Sequence, residues 1–126
     1  MKIVGVGLIF LCACQSVTDG AKESFSSRMT CPLARVEARE RPELKPSQFI
    51  KSDPPSDVAA DPGRLQMWRD EHKATADKED MLGQIVEVRG CDKHVFFNCM
   101  HPTSSSDGAR WMCMPQTDVP EGISHW

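Results

Sequence analysis

The amino-acid sequence predicts a small α+β domain, mainly β: a disulfide-bonded antiparallel meander of three or four strands with one short helix. Three observations carry this. Two runs rich in β-formers flank the tetrad Gly90-Cys91-Asp92-Lys93. Helix-start chemistry stands out at Asp61-Pro62. Four cysteines, Cys31, Cys91, Cys99 and Cys113, lie beyond the N-terminal apolar stretch. At 126 residues, with no tyrosine, five phenylalanines and three tryptophans, the chain predicts one domain with a thin core.

Taken in order, Lys2 supplies one positive charge, Ile3 to Leu11 is apolar apart from two glycines, and the small Ala13 precedes Cys14. That is the pattern of a secretory signal peptide, residues 1–13. The apolar run is about half the ~20 residues that cross a bilayer as a helix. The stretch "LCAC" resembles the lipobox of bacterial lipoproteins, which makes Cys14 the expected lipidation site, diacylated through its sulfur. A protein so anchored is held on a membrane without a spanning helix. Gln15 after the acyl site is compatible with the outer membrane. Residues 14–30 then read as a lipidated flexible tether, because "QSVTDGAKESFSSRMT" is rich in Ser, Thr, Gly and charge without an apolar period.

The domain is expected to fill residues 31–126. In "CPLARVEAR", Ala34, Val36 and Ala38 alternate with Arg35, Glu37 and Arg39, the period of a half-buried strand. The four prolines of "RPELKPSQFIKSDPPSD" exclude helix and central strand and leave a surface connection, pinned to the core by Phe49 and Ile50. Asp61 is the expected N-cap and Pro62 the first residue of a three-turn helix with Leu65 and Trp68 on one face. In the hairpin, Asp92-Lys93 as a two-residue tip pairs Val88 with Phe97 and Val86 with Cys99. "RWMCM" supplies a third strand.

An even number of cysteines in a short exported chain implies two disulfides. Cys91 and Cys99 face opposite sides of the sheet and are too far apart to pair. The return of a third strand favours Cys91 with Cys113 and Cys31 with Cys99; Cys31 with Cys91 and Cys99 with Cys113 is the other possibility.

The lipobox, the Ser/Gly tether, "CPLARV", "DPGRLQMW" and "VEVRGCDKHVFFNC" together make the chain similar to small predicted lipoproteins of the myxobacterial type. That resemblance implies location and fold rather than activity.

The net charge of −3 is spread over both signs. This gives neither the basic stripe that nucleic acid requires nor a cationic amphipathic face. No H-E-x-x-H, G-x-S-x-G, P-loop or C-x-x-C occurs, and the histidines are scattered, so neither an enzyme nor a cofactor is predicted. Two metal sets are weighed against a structural reading. Zinc would draw on Cys91, His94, Cys99, His101 and Cys113, although an oxidising compartment claims the thiols first. Copper(I) would draw on Met100, His101, Met112 and Met114 beside Trp111, whose soft donors equally suit core filling.

The role expected from these observations is that of a membrane-anchored envelope lipoprotein with a structural or protein-interaction job. Its partners are the membrane, through the lipid, and another envelope protein, met by a surface of Phe96, Trp111 and Trp126. A periplasmic copper- or zinc-binding protein is the alternative. No small-molecule ligand is indicated.

Overall fold

A computed structural model describes residues 15–51, 53–101 and 110–126; residues 1–13, expected to be a signal peptide, and Cys14, the expected lipidation site, lie outside the described residues. The fold is α+β. One antiparallel sheet is ordered β1 (Glu37–Glu40), β2 (Gly83–Gly90), β3 (Lys93–Met100) and β4 (Met112–Pro115), a simple meander. Helix α1 (Val17–Met29) covers one face. A one-turn α2 (Ser56–Ala59) and the long α3 (Pro62–Leu82) lie between β1 and β2.

The segment expected to be a tether is therefore structure: residues 17–29 are a helix packed into the core. Ser16 caps it by accepting from the Asp19 N–H, and Asp19 in the first turn and Arg28 in the last complement the helix dipole. Thr30 ends it in the left-handed conformation, with φ of 51°. Its inward residues are Val17, Gly20, Ala21 and Phe25, spaced for one helical face. Phe25 meets Phe97 edge-on with centroids 6.4 Å apart. Gly20 lets the backbone come close, since a Cβ there would lie 2.8 Å from Trp111 Cβ. Ser24 Oγ–H donates to the Cys113 carbonyl at 3.0 Å, tying the helix to β4.

The two central strands are buried on both sides from Ile85 to Val88 and from Phe96 to Cys99. On the α1 side lie Val86, Val88, Phe97, Cys99 and Cys113. On the other, Phe49 packs on Ile85 and Phe96, with Leu44 and Ile123 at the margin, so the proline segment is pinned by Phe49 as its sequence suggested.

Three local expectations are corrected. The hairpin tip is Cys91-Asp92, whose φ values of 49° and 61° form a two-residue turn of the mirror-image kind. Val88 accordingly pairs with Val95 and Val86 with Phe97. The shift is two residues of pairing, so every side chain keeps its expected face. The first strand is only Glu37–Glu40, because Leu33–Arg35 closes a 3-10 turn after Pro32. The Asp61-capped helix runs for 21 residues, not three turns, yet buries none of them fully.

The favoured cysteine connectivity is also corrected. Cys31 is bonded to Cys91, with Cα atoms 6.0 Å apart, and Cys99 to Cys113, with Cα atoms 4.0 Å apart. The reason is register. A long connection follows β3, so the short β4 starts at Met112 opposite Met100 and sets Cys113 directly opposite Cys99, at the end of the sheet far from Cys91. The helical residues 17–29 meanwhile carry Cys31 to the hairpin tip.

If α1 is part of the core, Phe25→Ala should destabilise the protein by about 3–5 kcal/mol. Urea unfolding followed by circular dichroism measures this. A tether would show no change in midpoint.

Candidate functional site

The most unusual group in the molecule is a carboxylate in the middle of the sheet. Glu87 in β2 points to the face away from α1 and is 0% exposed. An unpaired charge there would be very costly, so the surroundings must supply partners. They do so on both oxygens. Oε1 accepts from Arg39 Nε and Arg41 Nη1, each at 3.0 Å. Oε2 accepts the backbone N–H of Trp126 at 3.1 Å and meets His94 Nε2 at 2.8 Å. Burial pushes this carboxyl up, but the Trp126 N–H, His94 and Arg41 outweigh it and hold the group below its ordinary value. Arg41 is held further by Glu43 and donates to the Ser124 carbonyl at 2.9 Å.

These bonds fasten the segment 123–126 across the sheet. Ile123 enters the cluster of Phe49, Ile85 and Phe96, and His125 sits edge-on to His94 with centroids 4.7 Å apart. Two guanidiniums approach the Trp126 indole, with Arg89 Cζ 4.0 Å and Arg39 Cζ 5.3 Å from its centre. Beside it opens a shallow cleft of about 490 Å³, lined by Arg35, Glu37, Arg89, Gly90, Asp92, Lys93, His94 and Trp126. Within it, Arg89 is ion-paired to Glu37 at 2.7 Å. A second, more apolar groove of about 310 Å³ runs between Pro46, Ile50, Glu79, Asn98, Met100 and Met114.

Glu87, His94 and His125 bring one carboxylate oxygen and two ring nitrogens within 4.8 Å of one another, the spacing of a cation site. The charges oppose that use. The single carboxylate is already shared by two arginines, which would face any incoming cation at contact distance. Nor can Glu87 act as a general acid, since its lowered pKa keeps it ionised and all its contacts are made. The cluster is a latch for the chain's final residues.

The metal sets named from sequence are dispersed. Cys91, Cys99 and Cys113 are consumed in disulfides, which removes the thiolates a zinc site needs. Met100 pairs across the sheet with Met112, and Met114 with Asn98, so the three methionines share one side of the sheet. His101 instead stacks edge-on to Trp111, at 4.5 Å between centroids, and Trp111 packs against the α1-side core. The imidazole and the thioethers lie on opposite faces. His94 belongs to the Glu87 latch, and His72 stacks on Trp68 along α3 with centroids 4.7 Å apart.

Of the residues expected to make a contact surface, Phe96 is buried while Trp111 and Trp126 are half-buried. Phe96 lies under Phe49 and His125, Trp111 beneath α1, and Trp126 against Arg39 and Arg89. Sequence reasoning missed Glu87 as a center of charge. Its signal was an acidic residue inside the apolar run "IVEV", opposite a run "ARER" that brings two arginines onto the same side.

Comparison with protein-family models, curated proteins and solved structures returns no match to this chain.

A Glu87 held below its ordinary value stabilises the folded state above the unfolded carboxyl value of ~4.3. That stability is lost as pH falls through the lower folded value. Urea midpoints measured from pH 7 to pH 3 should therefore decline at the acidic end. Glu87→Gln should remove much of that slope and cost about 3–5 kcal/mol at pH 7, because two arginines lose their counter-charge. An unchanged midpoint at pH 7 would show the latch to be dispensable.

Proposed function

We propose that this protein is exported, held on an envelope membrane through a lipid on Cys14, and serves there as a structural or protein-interaction module rather than as an enzyme. The observation that carries the reading is the pair of disulfides. Cys31–Cys91 closes a sequence separation of 60 and Cys99–Cys113 one of 14. In the chain-entropy model these contribute about 4 and 3 kcal/mol respectively. A thin core is thereby stabilised in a compartment where disulfides persist, which agrees with a leader that ends in a lipobox.

The surface supports a role played by contact. Helix α3 spans about 31 Å at 1.5 Å per residue, far beyond the patch of protein it touches. It meets the Pro46–Phe49 turn through Asp80, which accepts from Ser47 N at 2.8 Å and Oγ at 2.7 Å, and it meets β3 through Glu79. Toward its start, Met67 is exposed and Leu65 and Trp68 half-buried. Among the described residues no helix is long and apolar enough to cross a membrane, so attachment in this reading falls to the lipid.

Mass spectrometry of the intact protein, extracted from membranes before and after reduction, tests this. The expected mass is that of residues 14–126 plus acyl chains, rising by four hydrogens on reduction. Cys14→Ser should leave the leader uncleaved by the lipoprotein route and abolish the acyl mass. Recovery of free thiols and an intact leader from the soluble cell interior would overturn the proposal.

A further inference from the structure

The row of the sheet farthest from the hairpin tip is formed by Gly83, Met100 and Met112, paired in that order across β2, β3 and β4. Large exposed apolar side chains collect there. Met81 is 76% exposed and Leu82 40%, immediately before Gly83, and Met112 is 56% exposed on the other side of the row. Of the acidic groups in the same helix turn, Asp80 is turned to Ser47, while Glu79 is neutralised in part by Asn98, whose Nδ2 donates to it at 2.7 Å beside Gly83.

The chain's described part begins at this same end. The Trp111 backbone N–H donates to Gln15 Oε1 at 3.2 Å and its indole Nε1–H to the Gln15 carbonyl at 3.1 Å. Gln15 Nε2–H in turn donates to Glu23 of α1. Ser16 is already the helix cap. Residue 14 lies outside the described residues but is one peptide step from this clamp, so a lipid on it would leave from the Trp111 end of the sheet.

We propose that this end of the sheet rests on the bilayer surface. Met81, Leu82 and Met112 make a second, apolar contact beside the acyl chains, which fixes the domain's orientation on the membrane. This rests on lipidation of Cys14 and deepens that reading. A lipid chain and a protein-borne apolar patch act together, as two membrane signals generally do. The hairpin tip and the cleft beside Trp126 then stand about 25 Å off the surface, the length of an eight-residue strand. Gln15, the residue after the anchor, is held to Trp111, and α1 begins two residues further on.

Methyl-labelled methionine NMR tests it. The acylated protein, its mass verified, is placed in phosphatidylethanolamine and phosphatidylglycerol nanodiscs that carry a nitroxide-headgroup lipid. The Met81 and Met112 signals should be lost while Met29, next to the Cys31–Cys91 end, persists. In the acylated double variant Met81→Glu with Met112→Glu, the protein should stay on the discs but the attenuation of Met100 should fall to that of Met29. Equal attenuation of all methionines, or none, in acylated and disc-bound protein overturns the fixed orientation and leaves lipid anchoring standing. Concentration-dependent shifts of Met81 and Met112 without lipid, marking contact between copies, overturn it likewise. Absence of the acyl mass overturns both.

Discussion

A fully buried carboxylate at the centre of a four-stranded sheet dictates how half of this molecule is built. Glu87 cannot remain charged in a dry interior unless opposite charge and hydrogen-bond donors surround it, and each of its partners comes from a different part of the chain. Arg39 comes from β1, Arg41 from the residues just after it, His94 from β3, and the last N–H from Trp126. Satisfying one charge therefore positions the edge strand, orients the start of the proline segment and draws residues 123–126 over Ile85 and Phe96. The approach of Arg39 and Arg89 to the indole follows from the same arrangement, because the arginines that neutralise the sheet also offer it their planar faces.

The opposite face is solved by different physics. Phe25, Ala21 and Val17 of α1 lie on Val86, Val88 and Phe97 without a charge among them, and the disulfides sit at the two ends of that contact. Cys31–Cys91 ties the helix C-terminus to the hairpin tip, while Cys99–Cys113 crosslinks β3 to β4 beneath Gly20. The small glycine matters at that point because the helix backbone approaches the Trp111 Cβ more closely than a side chain would allow. One covalent link thus holds the helix at its C-terminal end, and the other stiffens the strand pair on which its N-terminal half rests.

What the sequence disclosed and what it concealed divide along the same line. Alternation within "QIVEVRG" and "HVFFNCM" made the meander and its two faces legible, and the pairing error of two residues did not disturb them, because side-chain direction repeats with period two. The Asp61-Pro62 start was equally plain, since capping chemistry is local. Helix α1 was concealed because its buried face is written mainly in Gly and Ala, with one phenylalanine among serines, so an apolar-period test sees almost nothing. The disulfide pairing was concealed because it depends on where β4 begins after its long connection, which is a property of the whole sheet. Glu87 was concealed because a lone acid in a strand ordinarily signals a solvated face; here the tail from far along the chain covers it.

The same two-residue period decides which chemistry the polar and sulfur-bearing side chains can support. Met100 and His101 are neighbours in sequence and so point to opposite sides, and Trp111 and Met112 repeat the division on the next strand. A soft-metal site assembled from these residues would have to reach around an edge strand. What the division produces instead is specialisation by face: Trp111 grips the start of α1 through Gln15, and the thioethers of Met112 and Met114 are left at the surface. Because the grip falls on the residue that follows Cys14, the helix once expected to be slack becomes a rigid mount.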